Sequence, residues 1–393
     1  MAQRILLAWE LGAGYGHLMP LRAIAEQLRA RGHGCAFAVR ELDGAERLGL
    51  HRFGPVYPAP LAVGRIRNPV RVQTSYASLL HNCGFDQEDA LAGRLRAWRE
   101  LMILSGCSAV LVDHAPTALL AARSLDLPAA ATGTGFTLPP PASPLPAFPG
   151  LRLGANVLTR NEEQVLRLVN AALGRFGAAP LTSLRQLFDG VLAGLKTYPE
   201  LDHYGLPRAA SYLGLPDFSS GLEVDWGPSG EKRVLAYLRP FDGLEPLLDA
   251  LARLPAQVLV RIAELDPARL APYQRPGLVF IDRDIWLRQA VEGCDIFVNY
   301  GAHGATAEAL LAGKPVLLLP YTMEQRLLAE RARQLGAAVV LNGKAHQNPA
   351  AALRQLLEDD SLRAAAGRFA AHHADQDRRR IVPDWLERWL AAL

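Results

Sequence analysis

Short apolar runs, each followed by a turn and a stretch with helical spacing, recur in two series along this chain, and that alternation leaves few folds open. In the first series Ile5 to Trp9 runs into a glycine cluster, Gly12-Ala-Gly14-Tyr-Gly16-His17. Leu18 to Arg31 follows, with Leu21, Ile24, Ala25 and Leu28 at the spacing of one helix face. Gly32 stops that helix, and Cys35 to Val39 reads as the next strand. Ala109 to Val112 is a buried strand ending at Asp113, Thr117 to Leu125 a helix, and Pro128 to Ala131 another strand. Strand, turn, helix, strand is the repeating unit of a parallel α/β sheet.

The second series starts at Arg233. Strands are expected at Val234–Leu238, Gln257–Ile262, Leu278–Ile281, Asp295–Asn299 and Pro315–Leu319. Helices are expected at Leu244–Arg253, Trp286–Gly293, Thr306–Ala312, Gln325–Leu335 and, last, Trp385–Leu393. Between the series, Pro207 to Lys232 is rich in Gly, Pro, Ser and Asp, and its middle reads as an interdomain connection. Glu162–Leu173 and Leu181–Phe188 read as helices. The proline run Leu138 to Pro149 fits neither helix nor sheet and is expected as an extended surface loop bordering an active site. The simplest architecture is two doubly wound α/β domains.

Composition narrows the function. A chain of 393 residues with half of them hydrophobic is globular and suits two domains. A net charge of +3, from 42 basic and 39 acidic residues, gives no footprint for nucleic acid. The Arg-rich stretch Asp377 to Arg380 reads as a solvated helix end. Cys35, Cys83, Cys107 and Cys294 lack metal-ligand spacing and sit among apolar neighbours, as buried free thiols of a reducing cytoplasm do. The N-terminus reads as a first strand rather than a signal peptide. No run is long and apolar enough to span a membrane, which leaves peripheral association open.

Three stretches carry chemistry. Asn299 to Pro320 takes a buried strand into a turn of Gly301, Ala302, Gly304 and Ala305, and a helix leaves it. Small residues let a diphosphate approach the backbone, and amides at the helix start point at it along a favourable dipole. Thr306 offers a hydroxyl and Glu308 a carboxylate for ribose hydroxyls. An ordinary glycine-rich turn is the alternative, but ligands of such sheets sit at the carboxyl ends of the strands. In the second stretch, Glu324 beside Gln325 can accept from vicinal sugar hydroxyls, with a helix N-cap as the competing reading. Third, His17 and Asp113 both follow strands of the first series and so share one edge of a parallel sheet. A histidine held by a carboxylate is a general base near neutral pH. Either residue alone would more often be structural.

Together these stretches resemble the UDP-glycosyltransferase superfamily, of the GT-B fold. Its C-terminal signature, H-G-G-x-G-T-x-x-E-A-L-x-x-G-x-P followed by P and D-Q, is similar to Tyr300-Gly-Ala-His-Gly-Ala-Thr-Ala-Glu308-Ala-Leu, Gly313-Lys-Pro315, Pro320 and Glu324-Gln325. Its N-terminal G-H-x-x-P is Gly16-His17-Leu-Met-Pro20. The resemblance implies two Rossmann-like domains facing across a cleft. Residues 1–215 would bind the acceptor, 216–380 the nucleotide sugar, and 381–393 would be a helix returning to the first domain. It implies an inverting transfer from a nucleotide diphosphate sugar, with UDP the expected nucleotide and no metal, to a small-molecule, lipid or peptide acceptor. His17 would deprotonate the acceptor and Asp113 would orient it. Donor contacts would come from Tyr300, Gly301, His303, Gly304, Ala305, Thr306, Glu308, Glu324 and Gln325.

The departures are specific. Tyr300 stands where the family has a diphosphate-binding histidine, and His303 or Arg239 are the residues placed to compensate. Ala302 replaces a glycine and Glu324 the donor-sugar aspartate. Phe280 to Trp286 replaces the W-x-P-Q segment that supplies the usual aromatic platform for the base. Acceptor contacts are expected from loops at Pro69–Phe85 and Thr137–Pro149 and their surroundings, through Tyr76, His81, Phe85, Phe136 and Phe148, with ordinary loop packing as the alternative. A nucleotide-sugar 2-epimerase of the same fold, and a non-catalytic nucleotide-sugar-binding protein suggested by Tyr300, are the competing functions. A nicotinamide oxidoreductase is disfavoured because Gly12-x-Gly14-x-Gly16 is G-x-G-x-G rather than G-x-G-x-x-G.

Overall fold

Each apolar run read as a strand forms one, and every named strand pairs in parallel. The computed structural model describes residues 2–154, 156–205, 208, 210–217, 221–227, 231–263, 265–342 and 348–393. The remaining residues of the Pro207–Lys232 connection lie outside the described residues.

The chain divides into two units: Met1–Tyr198 with Leu206–Pro216 and Arg378–Leu393, and Pro199–Gly205 with Asp217–Asp377. The strands of the first are β1 (Arg4–Trp9), β2 (Gly34–Val39), β3 (Val56–Pro58), β4 (Ala109–Asp113), β5 (Ala129–Gly133), β6 (Leu192–Leu195) and β7 (Ser211–Tyr212). They lie in the order β3-β2-β1-β4-β5-β6-β7. Its helices are α1 (Tyr15–Ala30), α2 (Leu42–Arg47), α3 (Tyr76–Asn82), α4 (Glu88–Ser105), α5 (Pro116–Ser124) and α6 (Val157–Gly174). The second unit holds β8 (Arg233–Leu238), β9 (Gln257–Ile262), β10 (Leu278–Ile281), β11 (Ile296–Asn299), β12 (Val316–Leu318) and β13 (Ala338–Val340), in the order β10-β9-β8-β11-β12-β13. Its helices are α7 (Leu244–Ala252), α8 (Leu287–Glu292), α9 (His303–Leu311), α10 (Met323–Gln334), α11 (Pro349–Glu358) and α12 (Asp360–His372). In each sheet the strand order reverses once, between β1 and β4 and between β8 and β11. Such a switch point opens a crevice at the carboxyl ends of the strands.

The last helix, α13 (Ile381–Leu390), belongs to the first unit. Val382, Trp385, Leu386 and Trp389 share one face and join the core built on Ile5, Leu7, Trp9 and Leu18. Gly194 makes room for it, since a Cβ there would stand 2.9 Å from the Trp385 ring. Arg378 is not simply solvated, because its guanidinium donates to the carbonyls of Leu215 and Pro216 at 2.7 and 3.1 Å.

Four expectations are corrected. The segment Leu181–Phe188 is helical only as a tight turn over Leu184–Phe188. The Asn170 side chain pairs with both backbone groups of Leu181, and Ser183 is extended, so no helix starts earlier. The proline run lies only partly over the surface: Pro141 to Ser143 and Pro149 are exposed, but Leu138, Leu145 and Phe148 are buried. The Phe148 amide donates to the Thr74 carbonyl and the Leu145 amide to the Glu162 carboxylate, which draws the segment inward. Part of the expected loop Pro69–Phe85 is helix α3, started by Ser75 in a capping box. All four cysteines are free, but Cys83 and Cys107 are only partly buried.

Candidate active site

In the first unit the switch point brings β1 beside β4, with Trp9 in register with Asp113. His17 lies in the first turn of α1, and its Nδ1 is 3.0 Å from Asp113 Oδ1, across 96 residues of sequence. The imidazole stacks on Trp9, centroids 5.0 Å apart, and retains 18 % side-chain exposure while Asp113 is 1 % exposed. Nδ1–H donates to the carboxylate in the tautomer that leaves Nε2 with its lone pair.

Nε2 lies over Gly12. A Cβ on that residue, whose φ is +90°, would stand 2.3 Å from it. The turn is tied down by the Leu11 amide donating to the His114 carbonyl, by the Trp9 indole donating to the Leu11 carbonyl and by the Gly14 amide donating to Glu41. Gly12→Ala is therefore expected to lower turnover at least about a hundredfold, the order of general-base catalysis. A left-handed non-glycine residue also costs about 1–2 kcal/mol. Kinetics and chemical denaturation of the variant check both; turnover within a factor of three of the parent would show that Nε2 does not work over Gly12.

Two features escape the sequence motifs. Lys196, just past β6, donates from Nζ to Asp113 Oδ2 and, at 3.4 Å, to the Gly16 carbonyl. Burial alone would raise the Asp113 pKa; the charges of Lys196 and His17 outweigh it and hold the carboxyl below its usual range. His114, at φ 49°, follows Asp113 and lies 6.4 Å from the His17 ring. Burial, with the nearby His17 adding to it, pushes His114 down to about 3, so it stays neutral at working pH. Glu10 anchors the start of α5 by accepting from the Thr117 amide and hydroxyl, and burial pushes it up to about 7 against those bonds.

In the second unit Asn299 closes β11 in register with Tyr237 of β8. Its buried Oδ1 accepts from the amides of Gly301 and Ala302, at 2.7 and 3.1 Å, and from the Thr306 hydroxyl at 3.2 Å. The Thr306 hydroxyl and the Gly301 and Ala302 amides are thus engaged inside the turn, and Thr306 is fully buried. Helix geometry leaves the amides of Gly304 and Ala305 without intrahelical acceptors, and these can meet a phosphate. Gly301, at φ +84°, lies so near Gln325 that a Cβ would come within 3.0 Å of that residue's Cβ.

Tyr300 stacks on Tyr237 and Tyr321, at 6.4 and 6.0 Å, and Arg239 lies 5.5 Å above its ring. The His303 ring stacks on His203 at 5.6 Å. Gln325 is occupied in a capping box with Thr322, its Oε1 accepting from the amides of Tyr321 and Thr322. Glu308, largely buried, sits on α9 and Glu324, partly exposed, in the first turn of α10.

The five expected acceptor residues face packed interior rather than open space. Phe85 is fully buried, with the Arg94 guanidinium 5.7 Å above its ring. Phe136 is buried and stacks on Phe148 at 5.1 Å. Tyr76 and His81 are buried on α3. Tyr76 packs against His114 and Phe188, and His81 bonds the carbonyls of Arg67 and Asn68. Among the described residues, Glu200, His372 and His373 form a group that could hold a metal ion, which no motif anticipated. No helix among them is long and apolar enough to cross a membrane.

Comparison with known proteins adds to this geometry. Residues 245–387 match the family described as erythromycin biosynthesis protein CIII-like, C-terminal domain. A zeaxanthin glucosyltransferase from Pseudescherichia vulneris is 24 % identical over 376 residues, 88 % of this chain and 89 % of that protein. A PGL/p-HBAD biosynthesis glycosyltransferase from Mycobacterium tuberculosis is 31 % identical over 183 residues, 44 % of this chain and 42 % of its own length. The calicheamicin glycosyltransferase CalG4 superposes with a TM-score of 0.75 at 22 % identity, covering 100 % of this chain and 99 % of its own. The spinosyn rhamnosyltransferase SpnG, complexed with thymidine diphosphate, gives 0.69 at 18 % identity, covering 99 % and 100 %.

Proposed function

We propose that this chain, a GT-B glycosyltransferase of the UDP-glycosyltransferase superfamily, transfers a sugar with inversion from a nucleoside diphosphate donor to an acceptor hydroxyl or amine, with His17 as general base. The observation that carries this reading is the His17–Asp113 pair, with Nε2 over Gly12. Nε2 takes the acceptor proton as the acceptor attacks the anomeric carbon, and the bond to the nucleotide breaks on the opposite face. Asp113 holds the tautomer and stabilises the imidazolium that forms.

Charge growing on the leaving diphosphate would meet the first-turn amides and dipole of α9. Arg239, over Tyr300, supplies the positive charge at the position where the family has a histidine. With these groups no metal is needed, and activity is expected to survive chelation. Glu324 would accept from sugar hydroxyls. UDP and dTDP are the nucleotides favoured, the second because the similar SpnG structure holds thymidine diphosphate. Relatives named for zeaxanthin and calicheamicin favour a small-molecule acceptor over a peptide.

A panel of UDP-, dTDP- and GDP-sugars, read by thermal shift and by product analysis without acceptor, tests this. The expected result is a shift and slow hydrolysis to free nucleoside diphosphate with one donor, with the shift reduced in Glu324→Ala. An epimerised donor would establish the 2-epimerase instead. No shift with any nucleotide would overturn the donor site and favour the binding-protein reading of Tyr300.

A further inference from the structure

We infer that Lys196 is a positioning residue of the base: it grips the far oxygen of the Asp113 carboxylate that holds His17, and so shapes the pH profile of the reaction. This rests on His17 being the base. The lysine is 9 % exposed at its side chain, and its ammonium has two partners, Asp113 Oδ2 and the Gly16 carbonyl.

Pro20 spares the first-turn carbonyl that serves as the second partner. In an α-helix the carbonyl of residue 16 accepts from the amide of residue 20. Pro20 lies inside α1 and has no amide hydrogen, so Gly16 keeps a carbonyl lone pair pointing out of the ladder. Lys196 takes it. The proline thus does more than shape the first turn of α1: it leaves an acceptor that seats a cation against the far oxygen of the carboxylate.

The electrostatic consequence has a definite sign. A histidine–carboxylate pair alone goes from net −1 to neutral on taking a proton. With Lys196 the cluster goes from neutral to +1, which is less favourable in a buried site. The other ionisable ring facing His17 is His114, which is neutral, so Lys196 is the cation that decides the balance. Because the histidine and carboxylate are coupled, the effect belongs to the pair and appears in the pH profile.

The test is the pH profile of kcat/KM for hydrolysis of the preferred nucleotide sugar, with water as acceptor, in the parent, Lys196→Gln, Lys196→Met and Lys196→Arg. Gln keeps a donor for Asp113 and Gly16 but loses the charge; Met loses both. Both neutral variants are expected to move the acidic limb up by about one pH unit, the lower end of the effect of a neighbouring charge. Lys196→Arg should restore the parent profile, and donor KM should change little in all three. Neutral variants with an unmoved acidic limb would overturn the proposal. So would neutral variants that fail to fold beside a folded Lys196→Arg, which would make the lysine a piece of the core. His17→Ala, run alongside, separates the two readings: if it keeps full activity, the assignment of the base itself fails, whatever Lys196 does.

Discussion

His17→Ala is expected to reduce turnover by about a thousandfold, within the range for loss of a positioned general base, while donor affinity stays within a factor of about three. Alanine removes Nε2, and no other described group is arranged to replace it. His114 is buried and neutral, and Lys196 is committed to Asp113 and Gly16. The side chain is partly exposed, and what it packs on is chiefly the Trp9 ring, so folding should change little. The proposed donor contacts lie in the other unit, around β8 and β11, which is why KM for the nucleotide sugar should hold. Steady-state kinetics, with calorimetry for the donor, check both halves. Full turnover in the variant would remove His17 from the mechanism. A large loss of donor affinity would mean that its role is in binding.

Asn299→Ala is expected to have the largest effect in the second unit. One buried carbonyl oxygen satisfies two amides and a hydroxyl, so its removal strands three donors at once. Leaving a buried donor unpaired costs about 1–3 kcal/mol. Since the turn can relax, the net loss should be about 3 kcal/mol rather than the full sum. Thr306→Val, which removes one of the three, should cost about 1 kcal/mol. The donor should bind about tenfold more weakly to Asn299→Ala, because the stranded turn leads directly into the first-turn amides of α9. Denaturant unfolding and donor titration read the two effects. Unchanged stability would mean that the turn holds itself, and unchanged donor affinity would separate the turn from the phosphate site.

The alternation of apolar runs and helical stretches determined most strands of both sheets from the sequence alone, because strand burial, helix periodicity and glycine stops are local properties. It also placed His17 and Asp113 along one edge of a parallel sheet, where they can meet; that β1 and β4 are neighbours was decided by the tertiary structure. The small residues at 301–305 were legible for the same reason. Tertiary structure decided which groups remain available there. That Asn299 engages the amides of Gly301 and Ala302 and the Thr306 hydroxyl depends on one rotamer at a strand end. That Gln325 caps its own helix depends on Thr322 lying beside it. Lys196 could not be read because Leu192–Leu195 is too short and too mixed to announce a strand, and only pairing with β5 makes it one and aims the lysine at Asp113. The aromatic residues at 76, 85 and 136 were legible as apolar but not as interior, since the same side chains suit a cleft or a core. Which they line is set by what packs over them: His114 and Phe188 on Tyr76, Arg94 on Phe85 and Phe148 on Phe136.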